Sequence, residues 1–170
     1  MALVRFLEDN EELPREQYDL KDDLPPLNWS PDTLLEKLPN KSGLFRIYWN
    51  PEADLASLHF PRSIRVAYRS KRRPIEVTCF QDDILYIGKS RLIKSRVKCI
   101  LSQNVSTNLV AQKIALLLGV STSLEKPVLD EIKSLLAFNY ILEPHPIKRD
   151  FMKAAAVGYI RPCLNIGLEH

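Results

Sequence analysis

Residues 83–101 read DILYIGKSRLIKSRVKCIL, and the spacing of their apolar residues changes partway along. Asp83 to Gly88 is a short β-branched and aromatic run of the kind that forms a strand, and Gly88 ends it. After the glycine, Leu92, Ile93, Val97, Ile100 and Leu101 recur at helical intervals and define one apolar stripe. A strand running directly into an amphipathic helix is therefore expected, with Lys89, Arg91, Lys94, Arg96 and Lys98 spread along the junction and the helix.

Working outward, Gly43–Trp49 (GLFRIYW) also has strand character. Between the two strands, IRVAYRS and PIEVTCF flank Lys71-Arg72-Arg73-Pro74 and predict an inserted β-hairpin. Beyond the 83–101 unit, Asn108–Leu118 repeats the helical spacing, Pro127–Leu136 predicts a third helix, residues 137–143 return to strand, and Ile147–Ile160 forms a last helix ending near Pro162. Upstream, Ser30 followed by Pro31 predicts the cap of a short helix, SPDTLLEKL, packed through Trp29, Leu34, Leu35 and Leu38. The expected fold is α+β: a small, largely antiparallel three-stranded central sheet flanked by helices, with an inserted hairpin. The expected division is an acidic extension over 1–41, a domain over 42–167, and a tag-like remnant, Leu168-Glu169-His170.

The 170 residues are 45% apolar and 26% charged, ordinary values for a globular chain that can bury a core. No apolar run approaches the roughly 18 residues of a membrane span. The first residues, MALVRFLEDNEELP, turn acidic after one apolar turn and lack the long apolar stretch of a signal peptide. Cys79, Cys99 and Cys163 are scattered and odd in number, which predicts neither a disulfide framework nor a zinc pattern. Cys79 and Cys99 are expected to be buried apolar-like residues. His59 and His145 are isolated. A reduced, cytoplasmic protein is the resulting expectation.

Charge is unevenly spread. Residues 1–23 carry eight acids and three bases, leaving 21 bases against 13 acids in the remainder. No acid occurs from Ile84 to Leu124. A basic body suits a polyanion, and also suits plain solvation. The acidic leader is a candidate intramolecular competitor for the same surface.

Four features, taken in order, resemble a known family. They are Gly43-Leu44-Phe45-Arg46-Ile47, then Tyr86-Ile87-Gly88-Lys89-Ser90, then Arg96 on the following helix, and finally Arg161-Pro162-Cys163-Leu164-Asn165 after the last helix. Together these resemble the GIY-YIG nuclease superfamily over roughly residues 42–167. That resemblance implies phosphodiester hydrolysis assisted by one divalent ion, with Mg2+ or Mn2+ as cofactor if the enzyme reading holds. It implies that Arg96 faces the phosphate and that Tyr86 positions water or phosphate. An arginine suits the first role because its planar fork grips two oxygens and stays charged.

Two positions depart from the family pattern. The first-signature tyrosine falls on Phe45, which has no hydroxyl. The family's metal-binding glutamate lies nine residues before the final proline, which here is Lys153. An ammonium repels a dication, and hard cations want carboxylate oxygen. Asp150, three residues earlier, is the nearest acid on that helix and the sole candidate replacement. Lys153 can instead neutralise a bound phosphate directly. Whether any activity remains is thus left open, with an impaired or inactive endonuclease as the expectation.

Residues 62–75 hold six bases and no acid, among them Arg65, Arg69, Arg72 and Arg73. Such a hairpin is a phosphate-tracking arm or an edge that positive charge protects from strand pairing. With Lys89, Arg91, Lys94, Lys98 and Lys153 it forms the expected nucleic-acid surface, DNA being the expected ligand. Three functions compete: a nuclease-family protein with hydrolysis weak or lost, a non-catalytic DNA- or RNA-binding module, and an interaction protein that keeps only the fold.

Overall fold

The computed structural model describes residues 27–53, 62–66, 75–80, 83–102, 109–118 and 134–165. Among these are strands β1 (Gly43–Trp49), β2 (Arg62–Val66), β3 (Ile75–Cys79), β4 (Ile84–Ser90) and β5 (Leu136–Leu142). The helices are α1 (Ile93–Ser102), α2 (Leu109–Leu118) and α3 (Pro146–Ile160). β1 lies centrally in an antiparallel sheet ordered β4-β1-β5, and β2 pairs with β3 in a separate antiparallel hairpin. The molecule is α+β, with the expected small sheet, flanking helices and inserted hairpin.

Strand alternation divides the sheet into two faces. Phe45, Ile47 and Trp49 of β1 stand opposite Gly88 and Tyr86 of β4, and Tyr140, Phe138 and Leu136 of β5. This face joins Ile93, Val97, Ile100 and Leu101 of α1, Val110, Ala111 and Ile114 of α2, and Ile64 and Val77 of the hairpin in one core. Of the stripe that predicts α1, Ile93, Val97, Ile100 and Leu101 are buried, while Leu92 lies before the helix and is exposed. The other face carries Leu44, Arg46 and Tyr48, and α3 packs there against β4 and β1. Leu44, Ile87 and Ala156 are fully buried.

Turns and caps set the ends of these elements. Pro146 sits in the first turn of α3, and Nδ1 of His145 accepts the Lys148 N–H at 3.5 Å. At the other end Arg161 adopts the left-handed conformation (φ 53°) and Pro162 stops the helix. The chain then turns back along the outer edge of β4. Cys163 donates its N–H to the Ile84 carbonyl and Leu164 to that of Leu85. Asn165 completes the edge with its side-chain amide: Oδ1 accepts the Ile87 N–H at 2.8 Å and Nδ2 donates to the Ile87 carbonyl at 2.9 Å.

Four sequence expectations are corrected. Ser30 and Pro31 do not begin a helix. Residues 30–33 instead add to the free edge of β5, through Ser30 N–H to Tyr140 O and a Thr33–Phe138 bridge. A sheet edge offers a row of unpaired backbone groups, and satisfying them outweighs a weak capping preference. The helical turn shrinks to a 3-10 turn, Leu35–Lys37, whose Leu35 is buried along with Leu38, while Leu34 is exposed. Leu136 belongs to β5 rather than to the third helix, and Ser134–Leu135 form a turn. The rest of that predicted helix lies outside the described residues. Finally, Cys79 and Cys163 are not separate: they meet in a disulfide with Cα atoms 5.9 Å apart. Their 84-residue separation in sequence hides a contact that only the return of the chain past β4 creates.

Lys113 is an unexpected core residue. It is 4% exposed on α2, and its ammonium donates to the Leu164 carbonyl at 3.1 Å. Burial pushes its pKa down to about 8, from 10.5 for an exposed lysine. Between those values the unfolded chain holds a proton that the folded chain has released, so stability rises with pH across that window. Urea midpoints of the wild type should therefore climb between about pH 8 and 10 relative to those of Lys113→Met. Parallel curves for the two proteins would refute this assignment.

Among the described residues no helix is long and apolar enough to cross a membrane.

Candidate functional site

Tyr86 and Lys89 of β4 face opposite ways because the strand alternates. Tyr86 is half-buried on the core side, its ring 6.1 Å from that of Phe45. Phe45 is fully buried directly across from Gly88. A Cβ built on Gly88 would lie 2.3 Å from Cζ of Phe45, so the phenyl ring occupies the space that the missing side chain leaves. Phe45 is thus a packing residue sealed from solvent.

Lys89 faces the other way, opposite Leu44, toward α3. Its ammonium pairs with Asp150 Oδ1 at 2.5 Å. Lys89 first of all, with Arg149 and Lys153 behind it, holds the Asp150 carboxyl below the ordinary range. Lys153 is half-buried one turn further along α3 and contributes to that field. The structure thus gathers Lys89, Asp150 and Lys153 at the junction of β4 and α3. Nearby, Lys148 pairs with Glu143 at 2.9 Å, and Glu143 also accepts the His145 N–H. These bonds hold the Glu143 carboxyl below its usual range, the Lys148 partner first.

The solvent face of α1 differs in kind. Its buried stripe leaves Ser95 and Lys98 facing outward, with Arg96 on one flank and Lys94 on the other, and Arg91 is exposed in the bend just before the helix. Lys94 is committed: its ammonium donates to the Glu36 carbonyl. Arg91, Arg96 and Lys98 are exposed and make no side-chain hydrogen bond or ion pair among the described residues. The first N–H groups of this helix are already satisfied, by the Lys41 and Pro39 carbonyls and by Asn40 Oδ1, which accepts from Ser95. Its charge therefore lies in side chains and not in an open helix terminus.

On the hairpin, Ile64 and Val77 face the core while Ser63, Arg65, Glu76 and Thr78 face solvent. Arg65 stands directly across from Glu76, which offsets its charge. Arg69, Arg72 and Arg73 lie outside the described residues.

One polar cluster is not foreshadowed by any motif in the sequence. On the α3 side of the sheet, Arg46 Nε donates to Asn139 Oδ1 at 2.6 Å. Asn139 Nδ2 donates to the Ser30 carbonyl and to Asp32 Oδ1, at 2.8 and 2.9 Å. The Arg46 guanidinium lies over the rings of Trp29 and Tyr48, 4.8 and 5.5 Å from their centroids. Among the described residues the buried Tyr48 hydroxyl reaches no hydrogen-bond partner of good geometry, yet it lies near enough to Asp32 for the two to shift each other. Asp32 is held low, by Tyr48 foremost and by Asn139, and Tyr48 is pushed high, chiefly by burial. The cluster ties residues 29–32 to the sheet. Its only trace in the sequence is an arginine and an asparagine set inside the apolar strands GLFRIYW and LAFNYIL.

No protein-family model matches this chain, and neither a curated protein nor a solved structure matches it.

Proposed function

We propose that this chain is a divergent GIY-YIG-like protein that binds nucleic acid and has weak or no phosphodiester hydrolysis. The observation that carries the binding reading is the outer face of α1 and the bend leading into it, where Arg96 and Lys98 on the helix and Arg91 just before it stand exposed with no acid on the helix. Cations at this spacing track a phosphate backbone and release counterions when they do so. Toward α3 the charge of Lys89 is taken up by its ion pair with Asp150, so the binding reading rests on the α1 side.

Two observations support loss of cutting. Phe45 is buried and offers no hydroxyl to an attacking water. Asp150 is ion-paired with Lys89 and flanked by Lys153, and a single carboxylate so engaged does not fit Mg2+ or Mn2+, which need several oxygen donors. No hydrolytic step follows from these residues. DNA rather than RNA, and a cytoplasmic setting, belong to the same proposal.

Anisotropy of a short labelled DNA duplex, titrated at several salt concentrations, tests the reading. Affinity should fall steeply with salt. The variant Arg91→Ala/Arg96→Ala/Lys98→Ala should flatten the log–log slope by about 3, about 1 per lost phosphate contact. A slope that the triple variant leaves unchanged would remove α1 from the interface. The duplex should stay intact with Mg2+ or Mn2+, and cleavage would overturn the second half of the proposal.

A further inference from the structure

Beyond the nucleic-acid reading and independent of it, the end of β3 and the turn after α3 converge on a set of metal-ligating atoms. Cys79, Asp83 and Cys163 each present one ligand atom, and these atoms lie within 4.8 Å of one another. We infer that, when Cys79 and Cys163 are reduced, these three side chains bind one thiophilic divalent cation of the zinc class.

The disulfide alone does not account for the arrangement. A disulfide is neutral and gains nothing from a carboxylate beside it, whereas a dication does. Asp83 is already anchored where a ligand would stand. Its Oδ2 accepts the Phe80 N–H at 2.8 Å, and its own N–H returns to the Phe80 carbonyl. A ligating carboxylate steadied by a second hydrogen bond is the usual outer support of a metal site. The sulfurs are equally framed. Cys79 is fully buried at the end of β3, and Cys163 is 7% exposed, with its N–H bonded to the carbonyl of Ile84, the residue next to Asp83. Two thiolates and one carboxylate suit Zn2+, Cd2+ or Co2+ and not Mg2+ or Ca2+, and water fills the fourth position.

The chemistry balances simply. A thiol reductant gives the disulfide two electrons and two protons and is itself oxidised to a disulfide. A phosphine gives the two electrons and becomes its oxide, with water supplying the oxide oxygen and the two protons. Either way two thiols result. The cation then displaces both thiol protons and forms two metal–sulfur bonds. Disulfide and metal are alternative states of one pair, so oxidation expels the ion. The metal would join the hairpin to the turn that borders β4, as the disulfide does.

The test uses the full chain, reduced with a phosphine and titrated anaerobically with Co2+. One Co2+ per chain should bind with the thiolate-to-metal charge-transfer absorption of sulfur coordination, and Zn2+ should displace it. Oxidising the same sample should release the ion and re-reduction should restore uptake, a cycle that needs no mutation. Asp83→Asn should weaken binding by about tenfold or more, and Cys79→Ser should abolish the charge-transfer band. Cys99→Ser, which leaves the pair intact, should bind as the wild type does. The inference fails if the reduced wild type takes up no Co2+ or Zn2+, if the oxidised chain binds equally well, or if Cys79→Ser keeps the band.

Discussion

Replacing Gly88 by alanine should cost about 2–4 kcal/mol of stability, more than most surface or loop changes in this chain. The reason is local and steric. An added Cβ meets Cζ, Cε1 and Cε2 of Phe45 at 2.3, 2.7 and 2.8 Å, all below any distance a real Cβ tolerates. The ring cannot swing aside, because Phe45 is fully buried between β4, β5 and the core beneath α1. Either β1 and β4 separate, breaking ladder hydrogen bonds, or the ring leaves its rotamer. A second variant identifies the cause. Phe45→Leu alone should destabilise by leaving space, but in the Gly88→Ala background it should recover part of the loss, a favourable coupling between the two sites. Urea unfolding of the four proteins of this cycle measures it. Additive losses would mean that the Phe45 ring is not what the alanine strikes.

The same pair shows how far the sequence was legible. The strand-to-helix switch across 83–101, the first strand, the last strand and the last helix follow from apolar spacing, although burial matches the spacing closely only in β1 and α1: the last helix leaves Ile147, Phe151 and Tyr159 exposed and buries Ala156. What spacing does not carry is partnership. Nothing in GLFRIYW says that Phe45 covers a glycine on β4, and Phe45 therefore looks like a tyrosine lacking its hydroxyl. Its position in the core makes it a residue selected by shape. Ser30-Pro31 fails for a related reason: a local capping signal cannot know that the edge of β5, more than a hundred residues later, stands open beside it. The Cys79–Cys163 pair, the Arg46–Asn139–Asp32 cluster and the Lys89–Asp150 ion pair all join segments far apart in the chain, so no count along the sequence reaches them. The charge of α1 was legible because a helix sorts its own faces. The charge of β4 and α3 was not, because Asp150 takes up the charge of Lys89 only when the two elements pack together.

Asn165 shows what the final Pro-x-x-Asn supplies physically, and its removal is the other large effect. β4 is an edge strand of the three-stranded sheet, yet its outer side at Ile87 is buried and sees no water. The carboxamide of Asn165, itself 3% exposed, supplies one acceptor and one donor at the spacing of a neighbouring strand and closes that edge. Asn165→Ala leaves a buried N–H and a buried C=O of Ile87 without partners, at about 1–3 kcal/mol each, so a loss of about 2–5 kcal/mol is expected. Asn165→Asp should be no better. A carboxylate still accepts from the Ile87 N–H, but its second oxygen has no hydrogen for the carbonyl, and two acceptors are forced together. A serine or leucine cannot bridge both groups, so no conservative replacement exists. The readout that separates this from general loosening is amide exchange. In Asn165→Ala the Ile87 amide should exchange far faster than the amides of β1 and β5 in the same sample, because one specific bond is gone. Uniform acceleration across the sheet would show that Asn165 acts through overall packing and not by completing the edge of β4. The consequence reaches the proposed interface, since β4 carries Lys89 and leads through Arg91 into α1. A strand that frays at Ile87 gives those cations no fixed origin, so the alanine variant should also lose duplex affinity under conditions where it remains folded.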